Sequence, residues 1–105
     1  MDEQTKRAAD ELLEVLAPLD ATVRAMFGGY AYYVDGVVVG LITYGRVHVK
    51  RSWADDLLEG FASLAPAYDG AKETWRLPAD ALSADPQRVL DAIAAAAKAL
   101  AKPGG

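Results

Sequence analysis

At 105 residues the chain is long enough for one compact domain but too short for two independently stable cores. Its 15 acidic and 11 basic residues leave a formal net charge of -4, so the overall field repels nucleic acid and anionic membranes and any such contact must be local. The hydrophobic share of 52% predicts a globular chain, and the lack of cysteine excludes disulfides, thiolate nucleophiles and thiolate metal sites.

The opening Met-Asp-Glu-Gln has no signal-peptide character. The strongly apolar run Val37 to Ile42 is far shorter than the ~20 residues a membrane helix needs. A soluble, cytoplasmic protein with no membrane contact is expected. Residues 3 to 17 form an amphipathic pattern, with Ala9, Leu12, Leu13 and Leu16 at helical spacing between charged positions, and Pro18 as the stop. A strand is expected from about Thr22 to Phe27, continued beyond Gly28-Gly29, where the glycines read as a bulge or sharp bend. From Tyr30 the period changes to two: Tyr30, Tyr32 and Val34 share one face, Ala31 and Tyr33 the other. Asp35-Gly36 then suits a type I′ turn into a strand over Val37 to Tyr44, and Tyr44-Gly45 turns into Arg46 to Lys50.

Ser52, with Asp55 three residues on, predicts the cap of a second helix whose stripe Trp53, Leu57, Leu58 and Phe61 is assigned to the core, with Pro66 closing the element. Asp69-Gly70 turns into a strand around Lys72 to Leu77, ended by Pro78. Asp85-Pro86 is a helix start, and Val89, Ile93, Ala97 and Leu100 form the buried stripe of the last helix. Lys98 and Lys102 lie near its C-terminus, where cations are favoured. The expected fold is a single α+β domain over residues 1–102 with a frayed tail at 103–105. It is a two-layer sandwich with helices on one face of a mainly antiparallel sheet.

Few residues carry chemistry. The glycines at 28, 29, 36 and 40 match neither a dinucleotide fingerprint nor a P-loop, so Gly28-Gly29 reads as backbone geometry. His48 is the single histidine; Ser52, Ser63 and Ser83 sit in no nucleophile elbow, and Asp55, Asp56 and Glu59 read as a solvated helix face. No catalytic residue, metal site or cofactor is expected. What remains is a basic group, Arg24, Arg46, His48, Lys50 and Arg51, in which strand alternation puts Arg46, His48 and Lys50 on one sheet face beside tyrosine-bearing strands. Such a face binds single-stranded nucleic acid or a small ligand, or is simply kept soluble by its charge; the acidic balance weighs against nucleic acid. Met26, Phe27, Tyr30, Tyr32 and Tyr33 form the densest aromatic cluster. If two or three of them lie on the exposed sheet face, a homodimer patch is the simplest expectation.

The run Arg24-x-Met26-Phe27-Gly28-Gly29, followed by Tyr33-x-Asp35-Gly36, Leu41-Ile42, Val47-x-Val49-Lys50 and Trp75-x-Leu77-Pro78-x-x-x-Leu82, resembles the N-terminal domain of the TfoX/Sxy family. Met26, Phe27, Gly28, Gly29, Asp35 and Gly36 carry the most specific part of the likeness. Named members regulate natural competence for DNA uptake in bacteria. The resemblance implies an α+β fold similar to type III secretion chaperones and YjbR-like proteins, a noncatalytic regulatory or protein-interaction role, an unknown protein partner and no catalytic residues to carry over. Val39 stands where members usually carry an aromatic. The named regulators also have a second, helical domain that this chain does not include, so full competence activation is not expected of it.

Overall fold

The computed structural model describes residues 2–26 and 28–101. Among them, helix α1 (Glu3–Val15) precedes four strands, β1 (Ala21–Met26), β2 (Gly29–Val34), β3 (Val37–Thr43) and β4 (Arg46–Val49). A 3-10 turn (Asp55–Leu57), strands β5 (Ser63–Pro66) and β6 (Glu73–Arg76), a short helix α2 (Ala81–Ala84) and helix α3 (Pro86–Ala101) follow. The strands form one six-stranded antiparallel sheet in the order β1-β2-β3-β4-β6-β5. The expected α+β class is the observed one.

One apolar core lies between the helices and one sheet face. Ala8, Ala9 and Leu12 from α1 and Val89, Ala92, Ile93, Ala96 and Ala97 from α3 meet Tyr32, Val34, Ile42, Val47, Val49 and Trp75. The contribution of each large side chain follows from complete burial, roughly 1.5 to 3 kcal/mol apiece. The start of α1 is fixed by Asp2, whose carboxylate accepts the Thr5 N–H at 2.7 Å and is held below its ordinary pKa by that bond. Tyr32 is fully buried and its hydroxyl donates to the His48 carbonyl at 2.8 Å, tying β2 to β4 across β3. Burial drives its pKa upward, so it stays a neutral donor. Tyr32→Phe is expected to cost about 1 to 2 kcal/mol, read as a shifted urea midpoint at unchanged slope.

Three tight hairpins organise β1 to β4. Asp35 and Gly36 stand at φ 52° and 79°, and Tyr44 and Gly45 at 51° and 75°, the positive pair that a type I′ turn requires. The glycine pair differs from expectation. It does not bend one continuous strand: Met26 pairs with Gly29, so β1 and β2 are separate antiparallel strands, and Gly28 (φ 85°) lies in their turn while Gly29 begins β2. Phe27 lies outside the described residues. The bulge falls in β3 instead, where Tyr32 pairs with Gly40 and Tyr33 with Val38, leaving Val39 without a partner and fully buried.

The predicted second helix is replaced by a single 3-10 turn. The capping geometry does form: the Ser52 N–H donates to Asp55 Oδ1 at 2.9 Å and the Ala54 N–H to Ser52 Oγ at 3.0 Å. Asp55 is also claimed from elsewhere, accepting Trp75 Nε1–H at 2.8 Å and Arg51 Nε–H at 2.7 Å. Its pKa is lowered although burial acts to raise it, because the bonds from Ser52, Arg51 and Trp75 outweigh desolvation. Gly60 at φ 78° then stops any continuation, and β5 begins three residues later. Of the expected core stripe, Leu58 is fully buried and Phe61 packs at the core's margin. Trp53 is 82% exposed and Leu57 47% exposed, so neither belongs to the interior, contrary to what their spacing predicts.

Candidate functional site

Alternation along each strand sends half of the side chains away from the helices, and the register lines them up. One row runs Arg24, Ala31, Leu41, His48, Arg76 and Ser63 across the sheet; the next includes Met26, Gly29, Thr43 and Arg46. The strands contain one carboxylate, Glu73, and alternation puts it on the helix side with Trp75. The outer face therefore carries Arg24, Arg46, His48 and Arg76 with no strand carboxylate beside them, in a chain whose net charge is -4.

His48 is not displayed on this face. It is 3% exposed, so its reading as an exposed basic group is corrected. Its Nδ1 lies 2.9 Å from Thr74 Oγ1, and that hydroxyl donates in turn to the Ala65 carbonyl at 2.9 Å. A hydroxyl has one proton to give, so Nδ1 carries the hydrogen and the ring is the neutral Nδ1–H tautomer. Burial first, then Arg76 and Arg46, pushes the His48 pKa down to about 4. A group so weakly basic is a poor proton acceptor near neutral pH.

Arg46 and Arg76 are half-buried. Arg46 donates through Nη2 to the Leu77 carbonyl at 2.7 Å, while the Nε atoms of both arginines are buried without a hydrogen-bond partner. Burial and the neighbouring Arg76 lower the Arg46 pKa. Arg24 and Lys50 are exposed. Arg51 leaves the group: it pairs with Asp55 and lies 5.4 Å over the ring of Trp75, which faces the core. Arg76 joins the group instead. Alternation in the expected Lys72 to Leu77 strand already set it opposite Trp75, and only the pairing of β4 with β6 brings it beside His48.

The connection from β5 to β6 folds back over this face. The Thr43 hydroxyl, 4% exposed, donates to the Ala67 carbonyl at 2.6 Å, which holds the loop against β3. Tyr68 separates two open grooves. One, of about 470 Å³, is lined by Met26, Gly28, Thr43, Tyr44, Tyr68 and Asp69. The other, of about 440 Å³, includes Val38, Leu41, Lys50, Tyr68, Lys72 and Thr74. Met26, Tyr44 and Tyr68 are 38%, 73% and 49% exposed. The aromatic cluster expected around β2 divides otherwise: Tyr32 is core, Tyr30 packs against the core, and Tyr33 points outward half-buried.

Tyr44 is the unusual member. A left-handed backbone costs a side-chain-bearing residue roughly 1 to 2 kcal/mol, and asparagine or glycine is the ordinary choice at that turn position. Its ring buries little in return. Nothing in the folding of the hairpin calls for a tyrosine there, which makes its exposed ring a candidate for binding.

Among the described residues no group of three or more His, Asp or Glu gathers as metal ligands, and no helix is long and apolar enough to cross a membrane. No curated protein and no solved structure matches the chain. The model of the TfoX N-terminal domain matches residues 11–100, which takes in the whole sheet, both grooves, the end of α1, all of α2 and α3 up to Leu100. By that match, the chain belongs to the TfoX N-terminal domain family.

Proposed function

We propose that this domain is a noncatalytic, cytoplasmic interaction module of regulatory type, whose outer sheet face receives an acidic protein segment with an apolar anchor residue. The observation that carries the reading is Tyr44, a tyrosine at φ 51° and 73% exposed on the wall of a groove that it shares with Tyr68 and Met26. Tyrosine and arginine are enriched among the residues that dominate binding at protein interfaces, and here both types stand on one face. The anchor residue would occupy the tyrosine groove, and acidic neighbours would meet Arg24, Arg46 and Arg76. Membership of the TfoX N-terminal family supports a regulatory role by kinship.

The test separates binding from folding. Tyr44→Asn removes the ring and relieves the turn, so it is expected to raise stability by about 0.5 to 1 kcal/mol while abolishing partner capture. Wild-type and Tyr44→Asn proteins used as baits in native lysate, with captured proteins identified by mass spectrometry, should differ by the specific partner. Identical captured sets would overturn the reading. The second reading, single-stranded nucleic acid, is favoured by the tyrosines interleaved with cations on this face. Neutralising four phosphates would give a log-log salt slope of about -2.8, at roughly 0.7 per phosphate, in a fluorescent oligonucleotide titration.

A further inference from the structure

On the opposite side of the domain the segment from Ser52 to Phe61 lies along α3. Phe61 is covered by Arg88, whose guanidinium carbon is 4.3 Å from the ring centroid, and towards the other end of the helix the contact opens into a groove of about 420 Å³. Trp53 and Leu57 form one wall and Ala95 and Ala99 the other. The alanines keep the helix wall low, so a flat ring can lie against it. An indole that is 82% exposed leaves roughly 200 Å² of mostly apolar surface in water, taking 150 to 250 Å² for a whole aromatic side chain.

The charges identify the occupant. Asp56 belongs to the Trp53 wall and Lys98 to the α3 wall, and they do not pair with each other, since the ion pair among the described residues is Arg51–Asp55. A strongly acidic or basic partner would meet one like charge. A second copy related by a two-fold axis through the groove presents its α3 wall to the first copy's Trp53 wall, and so sets Lys98 against Asp56 twice. We infer that this face is an isologous homodimer interface, in which each Trp53 packs on the other copy's α3 between Ala95 and Ala99. The interface lies away from the tyrosine groove and does not depend on what binds there. Its limited apolar area places it among weak, concentration-dependent dimers.

Sedimentation velocity of the full chain over about a hundredfold range of concentration is the test. The wild type should shift from monomer to dimer, with Trp53 emission moving to the blue as it associates. Trp53→Ala should stay monomeric throughout, with an unchanged thermal midpoint because the ring is exposed. Asp56→Lys and Lys98→Asp should each weaken association by roughly tenfold, and the double exchange should restore it. A wild type monomeric at every concentration, a Trp53→Ala variant that dimerises normally, or a double exchange no better than either single change would overturn the inference.

Discussion

Gly40→Val is expected to cost about 4 kcal/mol or more, close to the whole stability of a small domain, through overpacking and the loss of a buried hydrogen bond. Gly40 pairs with Tyr32 on one side and Val49 on the other, on the core face. A Cβ there would run into the His48 carbonyl oxygen and stand 2.6 Å from Tyr32 Oη and 2.8 Å from Tyr32 Cε1. None of these atoms can yield cheaply. The carbonyl is backbone, and Tyr32 is fully buried with its hydroxyl bonded to that same oxygen. The side chain would therefore break the bond joining β2 to β4 while wedging β3 away from β4. Gly28 is the useful contrast: it has open space around it, so Gly28→Ala meets only the strain of φ 85° and should cost about 1 kcal/mol. Urea unfolding monitored by Trp75 fluorescence would rank the two. A Gly40→Val midpoint no lower than that of Gly28→Ala would show that the sheet opens freely at this place.

The parts of the fold that can be read from residues are those whose chemistry is local. Asp35-Gly36 carries its turn by itself, and Asp85-Pro86 begins α3 at Pro86 because proline suits the first helical position. Trp53, Leu57 and Phe61 show why spacing alone misleads. Their four-residue interval is that of a helix face, but Asp55 is drawn to Trp75 twenty positions away and Gly60 takes a left-handed φ, so the segment never completes a regular helix. Strand β5 is four residues long, lies at the sheet edge and ends in proline, which leaves no alternating pattern to detect. The basic face was half legible. Alternation puts Arg46 and His48 on one side, whereas the burial of His48 goes with Thr74, which the pairing of β4 with β6 brings against its ring. Arg76 entered the site through strand pairing that no short window contains.

The same buried histidine should make the domain less stable as the pH falls from 6.5 towards 4. Burial, Arg76 and Arg46 hold His48 near a pKa of about 4 in the folded protein, against 6.5 for the free side chain. Above pH 6.5 the ring is neutral whether the chain is folded or not, and it contributes no pH dependence. As the pH falls from 6.5 towards 4, the unfolded chain takes up a proton that the folded one refuses, so stability drops across that interval. The loss approaches about 3 kcal/mol, at roughly 1.4 kcal/mol for each pH unit between the two pKa values. Asp55 acts lower: its pKa is below 3.8, and its bonds to Ser52, Arg51 and Trp75 survive until more acid conditions. Urea midpoints at pH 7.5, 5.5 and 4.5 would trace the fall. His48→Gln keeps an amide donor for Thr74 but cannot titrate, so its midpoint should be nearly level over that range even if the variant is less stable at pH 7.5. Parallel decline in the two proteins would assign the acid sensitivity to other groups and leave His48 without the neutrality argued from its burial beside Arg76 and Arg46.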